Sequence, residues 1–428
     1  MRVLFVYTDF PWPAIRGNRV RALSQLEALS SLPEISSVRL FSLHEDRVTA
    51  NDRDALRSAL PKVGIADPVY HPVHLFRDLR YVPRVAWLRL ARGVPYLAGK
   101  WDAPAVRSAL ATELQGERYD VVWLGALGLA RYLPLVRQVR PDAKVVIDTH
   151  NVDSDIWAQY ASRQRGPKRV MADAEWRAAR RFERDALRAA DAVATISEAD
   201  ARGLRELAGV DPVYVPQIAP PEPRARTALG PHLLYVGYLG WHPNVLGLDW
   251  FFTEVWPRVR VRLPEARLDV AGSGLATDGA GRAIVAPEWR VPGVSILGFV
   301  PDLASLYDRA AVLIAPILEG SGVRMKLVDA FRNGVPVVTT PQGAAGLPIV
   351  SGREAFVAED AASFAERVVE VATSTAVQER LRASAHAFLE RHHSRRAAGD
   401  ALRELFDRAR VRSELEVDER LAAVGGDD

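Results

Sequence analysis

A glycine turn followed by two cations is the strongest chemical signal in this sequence. The turn, Gly320-Ser321-Gly322, comes after a short apolar run, and a helix is predicted from about Val323. Arg324 and Lys326 fall in the first turn of that helix. Free backbone amides at a helix start attract phosphate, whereas the helix dipole there disfavours cations, so the two cations predict an anionic ligand. The alternative is an ordinary glycine turn with a solvated first helical turn.

Two further polar clusters follow predicted strands in the first half of the chain. Asp148-Thr149-His150-Asn151 ends an apolar run, and open α/β sheets place ligands at the carboxyl ends of their strands. Arg16-Gly17-Asn18 follows the first strand and a Pro-Trp-Pro turn, where a glycine lets backbone approach a ligand. His150 and Gly17 are therefore candidate ligand contacts. The alternatives are a structural histidine and a plain turn before a helix.

Composition narrows the class of protein. The chain has 428 residues, with 56 Lys and Arg against 53 Asp and Glu, no Cys, and 48% hydrophobic residues. This length predicts two or three domains, and the lack of cysteine excludes disulfides, thiolate nucleophiles and Cys-ligated zinc. No apolar run approaches the roughly 20 residues that span a bilayer, and residues 1–7 lack the apolar core of a signal peptide. We therefore expect a soluble, cytoplasmic protein.

Strands and helices must alternate to position these clusters. Short apolar runs recur, each followed by helical periodicity, which is typical of α/β domains with a buried parallel sheet. The predicted strands of the first half are Val3–Tyr7, Val38–Leu43, Val121–Leu124, Val145–Asp148, Ala192–Ile196 and Val213–Pro216. Those of the second half are Leu233–Val236, Arg267–Ala271, Val294–Leu297, Ala311–Ala315, Val335–Thr339 and Ala355–Val357. From Ser363 onward the pattern is continuously helical.

A proline-rich stretch, Pro216–Pro231, separates the two series of strands and indicates an interdomain linker. Two open sheets that face each other would form a cleft at the carboxyl ends of their strands. The predicted organisation is an N-terminal Rossmann-like domain over 1–215, a linker over 216–231, a C-terminal ligand-binding domain over 232–395 and terminal helices over 396–428.

The ordered motifs along the chain resemble the retaining, nucleotide-sugar-dependent glycosyltransferases of family 4, which have the GT-B fold. They are FVYTDFPWPAIRGNRVRALSQL, VVIDTHNVDSDIW, AVATISEADARGL, LLYVGYLGWHPNVLGLDWFFTEVWPRV, ARLDVAGSG, VSILGFVPDLASLYDRAAVLIAP and LIAPILEGSGVRMKLVDAFRNGVPVVTT. The GWHPN and GSGVRMK forms are most similar to a bacterial subgroup that acts in exopolysaccharide and natural-product sugar transfer. The resemblance implies an α/β, GT-B fold: two Rossmann-like parallel-sheet domains facing across a cleft, with a C-terminal helix crossing back.

The resemblance also implies which residues hold a nucleoside diphosphate sugar. Many family members carry a Glu-x7-Glu pair for the sugar and ribose hydroxyls; here Ser321 and Asp329 occupy its positions, and Glu319 lies two residues too early. The implied catalytic residues are His150, Arg324 and Lys326, and the implied donor-binding residues are Gly17, Gly237, Phe299, Val300, Glu319, Ser321, Gly322, Val323 and Asp329.

The diphosphate position departs from the family pattern. The family often carries an Arg and a Lys after the first strand of the second domain, but Val236–Asn244 contains neither. The resemblance then implies that Arg324 and Lys326 supply the charge, because a buried diphosphate needs cationic donors. Trp241 and Trp250 are candidate donor-site aromatics, for which core packing is the favoured interpretation.

These patterns predict a glycosyltransferase of hexosyltransferase type. It would move a sugar from a nucleoside diphosphate sugar to a hydroxyl acceptor, saccharide, lipid-linked or natural product, with retention of anomeric configuration. No cofactor or metal is expected: Asp153-Ser154-Asp155 is an Asp-x-Asp triplet, but such triplets are common by chance. The alternatives are a nucleotide-sugar 2-epimerase on the same fold and a sugar-nucleotide-binding protein without activity. A dehydrogenase is disfavoured because the third glycine of a dinucleotide fingerprint is misplaced after Gly272-Ser273-Gly274.

A basic, aromatic stretch spans Leu75–Trp101. Such a stretch predicts peripheral contact with an anionic membrane, at its inner face, or binding of an acidic or lipid-linked acceptor. The favoured alternative is a helix with a solvated basic face. Nucleic acid is not an expected partner, because the arginines are dispersed along the chain and balanced by acids.

Overall fold

The computed structural model describes residues 1–14, 17–72, 79–222, 230–275, 285–320 and 323–424. The chain forms two compact units, one from Met1–Ile218 with Ala398–Asp428 and the other from Ala219–Ala397. The division therefore falls inside the stretch predicted as a linker. Within that stretch Gln217, Ile218 and Ala219 are buried, so its described beginning is packed against protein.

A parallel sheet forms the centre of the first unit. Its strands are β1 Arg2–Tyr7, β2 Ser37–His44, β3 Val63–Ile65, β4 Val69–Tyr70, β5 Val121–Leu124, β6 Lys144–Thr149, β7 Ala192–Thr195 and β8 Val213–Tyr214. Their order is β3-β2-β1-β5-β6-β7-β8, with β4 paired to the end of β2, and all these pairs are parallel. The central strands are buried along nearly their whole length, which explains their continuous apolar sequence.

Helices cover both faces of this sheet. They are α1 Gly17–Ser31, α2 Ala50–Ala59, α3 Val82–Arg92, α4 Tyr96–Gly99, α5 Pro104–Gly116, α6 Leu133–Val139, α7 Asp153–Ser162, α8 Gly166–Ala189 and α9 Glu198–Ala208. Successive side chains of a strand point to opposite faces. Leu4 accordingly joins the core under α5, whereas its neighbour Phe5 joins the core under α1.

The second unit contains a smaller parallel sheet. Its strands are β9 His232–Val236, β10 Arg267–Ala271, β11 Val294–Gly298, β12 Val312–Ala315, β13 Val337–Thr339 and β14 Phe356–Val357, in the order β11-β10-β9-β12-β13-β14. Its helices are α10 His242–Trp250, α11 Trp256–Arg262, α12 Ala304–Arg309, α13 Met325–Arg332, α14 Pro341–Ala344, α15 Ala361–Thr373 and α16 Thr375–His392, and a π-helical turn at Phe251–Val255 joins α10 to α11.

The last helix, α17, runs from Arg395 to Val424. Its residues Ala398, Leu402 and Leu405 are buried in the same core cluster as Phe5, so this helix is part of the first unit. The final pattern predicted as continuously helical is interrupted at Ser374 and before α17, where the helices α15 and α16 end. No described helix is long and apolar enough to cross a membrane.

All twelve predicted strands are present, which confirms two Rossmann-like parallel-sheet units. Two further strands, β3 and β4, were not predicted from the sequence; they contain three and two residues. Of their five residues Val63 alone is buried, so no continuous apolar run marks these two strands.

Candidate functional site

The glycine turn lies between β12 and α13 in the second unit. Ser321 and Gly322, two of the predicted donor-binding residues, lie outside the described residues. Gly320 has φ of 103°, a left-handed conformation that favours glycine. The helix begins at Met325, two residues later than predicted, and Arg324 occupies its N-cap position.

Lys326 joins this turn to the loop after β9. Its Nζ donates hydrogen bonds to Tyr235 Oη and Asn244 Oδ1, each at 3.0 Å, and lies 4.3 Å from the centroid of the Tyr235 ring. Tyr235 belongs to β9, and Asn244 to the first turn of α10. The cation therefore lies at the carboxyl end of β9 and is held by protein groups, so the solvated first turn is wrong for Lys326.

Burial makes the charge of Lys326 costly. Loss of solvent, together with the nearby positive charge of Arg324, lowers the pKa of Lys326 from its ordinary value of 10.5 to about 7. Burial also raises the pKa of Tyr235, so its hydroxyl stays neutral. The Lys326 amine is therefore only partly protonated at neutral pH, and an anion placed beside it would favour its charged form.

Gly237 provides the room for this arrangement. A Cβ at Gly237 would lie 2.9 Å from Lys326 Nζ and 3.2 Å from Asn244 Nδ2. Asn244 Nδ2 itself donates to the Tyr238 carbonyl at 2.8 Å, which fixes the amide and turns its oxygen toward Lys326. The structure therefore brings together two predicted site residues, Gly237 and Lys326, that follow different strands of the second unit, β9 and β12.

Arg324 lies on the same side of the turn with an aromatic neighbour. Its guanidinium carbon lies 5.8 Å from the centroid of the Trp241 ring, and an Nη donates to the Glu319 carbonyl at 3.5 Å. The Glu319 carboxylate lies 3.6 Å from His242 Nε2. Trp241 is 43% exposed, so core packing is wrong for this residue, whereas Trp250 packs edge-on against Phe364. Trp241 occupies the N-cap position of α10.

The other predicted donor-binding residues, namely Asp329, Phe299, Val300 and Val323, have different surroundings from those of Lys326. Burial raises the pKa of Asp329 to about 6, opposed by Arg332 rather than by Lys326. Phe299 is 61% exposed just after β11, while Val300 and Val323 pack against the core around Leu313. The structure thus gathers Gly237, Glu319, Arg324 and Lys326. Asp329 lies one turn after Lys326 on α13, and Phe299 follows a different strand, β11.

Four residues that shape this site were not predicted from the sequence. Tyr235 and Asn244 receive the Lys326 hydrogen bonds, while Thr340 donates to the Ile317 carbonyl and Gln342 to the Gly320 carbonyl. The last two tie the turn after β12 to the turn after β13. Asn244 stands in the GWHPN motif, which was its only signal, whereas Tyr235 is indistinguishable from any apolar strand residue.

In the first unit, His150 lies beside a buried carboxylate. Its Nε2 is 3.2 Å from Asp148 Oδ2, and Asp148 also accepts hydrogen bonds from Arg21 at 3.0 Å and Gln25 at 2.7 Å. Burial opposes the charge of Asp148, but Arg21 and His150 outweigh it and lower the pKa of Asp148 to about 2. The carboxylate therefore stays ionised and orients the imidazole of His150.

Gly17 lies near His150 at the carboxyl ends of the first unit's strands. Tyr7, at the end of β1, has its ring centroid 6.3 Å from that of His150 and donates to the Asn18 carbonyl at 2.7 Å. Gly17 is exposed at the start of α1, and a Cβ there would meet no atom within 4 Å. The structure thus brings both predicted residues of this unit to one edge, with open space at Gly17.

The Asp-x-Asp triplet, Asp153-Ser154-Asp155, begins α7, and its backbone is held by a buried glutamate. The backbone amides of Asp153 and Ser154, at the start of α7, donate to the two carboxylate oxygens of Glu183 at 2.8 and 2.9 Å. Burial raises the pKa of Glu183 to about 7. In the described part of the chain, no group of three or more His, Asp and Glu residues could hold a metal ion. The expected absence of a metal stays a prediction.

Comparisons with known proteins match both halves of the chain. Residues 38–218 match the family model Glycosyltransferase Family 4, and residues 230–374 match Glycosyl transferases group 1. A curated relative, an uncharacterized 44.6 kDa protein in the cps region of Klebsiella pneumoniae, is 23% identical over 401 residues, covering 92% of this chain and 96% of its own.

Solved structures share the architecture of the whole chain. Anabaena HepE in complex with UDP and glucose is 12% identical, with a TM-score of 0.59, over 95% of this chain and 99% of its own. Sucrose-phosphate synthase from Thermosynechococcus elongatus is 15% identical, with a TM-score of 0.60, over 95% and 98%. At these identities the likeness establishes the fold, and the two family models establish the class of enzyme. The protein is a glycosyltransferase of the GT-B fold, built from a Glycosyltransferase Family 4 domain and a Glycosyl transferases group 1 domain.

Proposed function

We propose that the protein transfers a hexose from a nucleoside diphosphate sugar to a hydroxyl acceptor with retention of anomeric configuration. The observation that carries the proposal is the Lys326 ammonium, held at the carboxyl end of β9 by Tyr235 and Asn244 with its pKa lowered to about 7. Anabaena HepE is bound to UDP and glucose, which supports a nucleoside diphosphate sugar as the donor.

In this proposal the second unit binds the donor. The leaving diphosphate lies against Lys326 and Arg324, with Gly237 leaving room for the phosphate oxygens. Two cations act where negative charge grows as the glycosidic bond breaks, so they stabilise the transition state more than the ground state. Asp329 accepts hydrogen bonds from the ribose hydroxyls, and the backbone after β11, at Phe299 and Val300, contacts the base.

The first unit binds the acceptor and completes the reaction. The leaving phosphate itself accepts the proton of the acceptor hydroxyl, so no dedicated general base is required. His150, oriented by Asp148, donates a hydrogen bond to the donor sugar, and the open space at Gly17 admits the diphosphate. Peripheral contact with an anionic membrane through 75–101 remains part of the proposal for the acceptor.

The direct test is turnover of UDP-glucose and related donors, followed by mass spectrometry, with and without a mixture of hydroxyl acceptors. A retaining transferase gives a new glycoside with the anomeric configuration of the donor. A 2-epimerase, the second candidate within enzymes, would convert the donor without any acceptor. Measurable donor binding with no turnover of any kind would instead indicate a binding protein without activity.

Transfer is expected to survive EDTA, because two side-chain cations rather than a metal face the diphosphate. The rate in EDTA should equal the rate without it, and Asp153→Ala should keep at least half of the parental rate. The variant retains the backbone amide that donates to Glu183, so its fold should be preserved. A strict requirement for Mg²⁺ or Mn²⁺ would reject this mechanism.

Gly17→Ala is expected to weaken nucleoside diphosphate binding without changing the stability of the protein. The added methyl group meets no protein atom within 4 Å, so only a ligand would collide with it. Calorimetry should give about a tenfold weaker Kd, while the thermal midpoint stays at the parental value. Gly116→Ala, also with open space around its Cβ and remote from the β1 end, is the matched control. Equal affinity of the two variants would remove Gly17 from the site.

A further inference from the structure

A charged cavity in the first unit shares no lining residue with the group formed by His150, Asp148, Arg21 and Gln25. It has a volume of about 330 Å³ and is lined by four arginines from three parts of the chain. Arg84 and Arg92 come from α3, Arg107 comes from α5, and Arg131 comes from the helical turn that follows β5. Because these elements are separate in sequence, the convergence of arginines was invisible in any single motif.

One acid lies among these arginines. Asp102 is buried and accepts hydrogen bonds from Arg84 Nη at 2.7 Å and Arg131 Nε at 2.8 Å, while an Nη of Arg107 lies 3.9 Å away. Burial opposes the charge of Asp102, but the hydrogen bonds from Arg84 and Arg131 outweigh it and lower its pKa. The lining therefore carries three more positive than negative charges.

Several guanidinium donors remain for a ligand. Arg92 contacts the Trp87 ring, with 5.5 Å from its guanidinium carbon to the ring centroid, and its side chain makes no hydrogen bond to a described residue. Arg107 faces the Tyr132 ring at 5.6 Å and likewise makes no side-chain hydrogen bond to a described residue. Each guanidinium carries five N–H donors in a planar fork that matches phosphate oxygens.

We propose that this cavity binds a phosphate ester in its dianionic form. Three unbalanced cations facing one small cavity fit a multiply charged tetrahedral group better than a single carboxylate. Trp87, half exposed on the rim, offers an apolar surface to the molecule that carries the phosphate. None of its residues belongs to the donor site or to the pair Asp148 and His150, whereas Arg84, Trp87 and Arg92 lie within the stretch 75–101 that is proposed for the acceptor, so on this point the inference rests on the proposed function.

The test measures binding of inorganic phosphate and pyrophosphate by calorimetry at constant ionic strength. The variant is Arg92→Gln with Arg107→Gln, since neither residue donates a hydrogen bond whose loss would leave Asp102 unpaired. We expect saturable binding to the parent and a Kd at least about tenfold weaker in the variant. Arg118→Gln is the matched control, because Arg118 is exposed and pairs with the exposed Asp142.

Each outcome decides the proposal. No saturable phosphate binding by the parent, or equal loss in the Arg118→Gln control, overturns it. Unchanged UDP affinity and thermal midpoint in the double variant show that the change is confined to this cavity. If the double variant unfolds, Arg92→Gln alone must weaken phosphate binding, since Arg92 is exposed at the end of α3 and its guanidinium packs on the Trp87 ring.

Vesicles distinguish the two sources of a phosphate ester. Parent and variant are mixed with phosphatidylcholine vesicles that contain either phosphatidic acid or, at equal surface charge, phosphatidylglycerol. Binding to phosphatidic acid alone, lost in the variant, identifies a lipid phosphomonoester. Phosphate binding in solution without vesicle binding identifies a soluble phosphate ester. If parent and variant bind both kinds of vesicle equally, the membrane contact depends on surface charge in general. If the parent also shows no saturable binding of inorganic phosphate, the cavity is rejected as a site.

Discussion

Lys326→Met is expected to lower turnover by about two orders of magnitude while the protein stays folded. Charge-assisted hydrogen bonds contribute roughly 1.5–3 kcal/mol each, and more where charge develops in a dry site. The leaving diphosphate is most anionic in the transition state, so kcat falls more than donor affinity does. Removing a partly buried cation whose pKa is lowered to about 7 relieves a cost of folding, so the thermal midpoint should not fall.

The pH dependence of the same residue supplies an independent measurement. Between pH 7 and 10.5 the unfolded chain binds more protons at Lys326 than the folded chain, so this group adds stability as pH rises through that window. A bound diphosphate raises the pKa of Lys326, because its negative charge favours the protonated amine. Nucleotide binding at pH 8 should therefore take up close to one proton, as measured by calorimetry in buffers of different ionisation enthalpy.

Two further variants test whether the effect is specific to the charge of Lys326 beside the diphosphate. Lys168→Met removes an exposed lysine of α8 and should leave turnover and proton uptake unchanged. Arg324→Met should weaken nucleotide binding and raise the pKa of Lys326, because the charge of Arg324 contributes to lowering it. Near-parental kcat and unchanged proton uptake in Lys326→Met would show that the lysine only joins α13 to β9.

Asp148→Ala is expected to destabilise the first unit by about 3–5 kcal/mol, because it leaves the buried Arg21 guanidinium without its charge partner. The folded pKa of Asp148 is about 2, below its ordinary value of 3.8. Its contribution to stability is therefore complete above pH 3.8 and lost as pH falls toward 2. Urea unfolding at several pH values measures both effects.

The control for this substitution is a surface pair. Asp142→Ala removes the exposed partner of Arg118 and should change stability by less than about 1 kcal/mol. In Asp148→Ala the acid-dependent loss of stability should also be smaller than in the parent. A cost below about 1 kcal/mol for Asp148→Ala would mean that water or another group replaces the carboxylate beside Arg21.

The sequence by itself determined the fold class and the class of enzyme of this protein. Most of the twelve predicted strands were recognisable as continuous apolar runs, because a strand that is buried on both faces, such as Val121–Leu124, has no polar face. The turn at Gly320 and the cations Arg324 and Lys326 were also visible, because turns and helix starts are specified by neighbouring residues.

Only the tertiary structure decided which groups meet. Lys326 and Tyr235 are 91 residues apart, and Arg21 and Asp148 are 127 apart, so their contacts depend on strand order. Periodicity shows which side of an element is apolar but not which element covers it. That is why Trp241 was assigned to the core and the arginine cavity around Asp102 was missed. Turns and helix starts depend on neighbouring residues, whereas burial, pKa shifts and hydrogen-bond partners depend on packing between segments that are far apart in sequence.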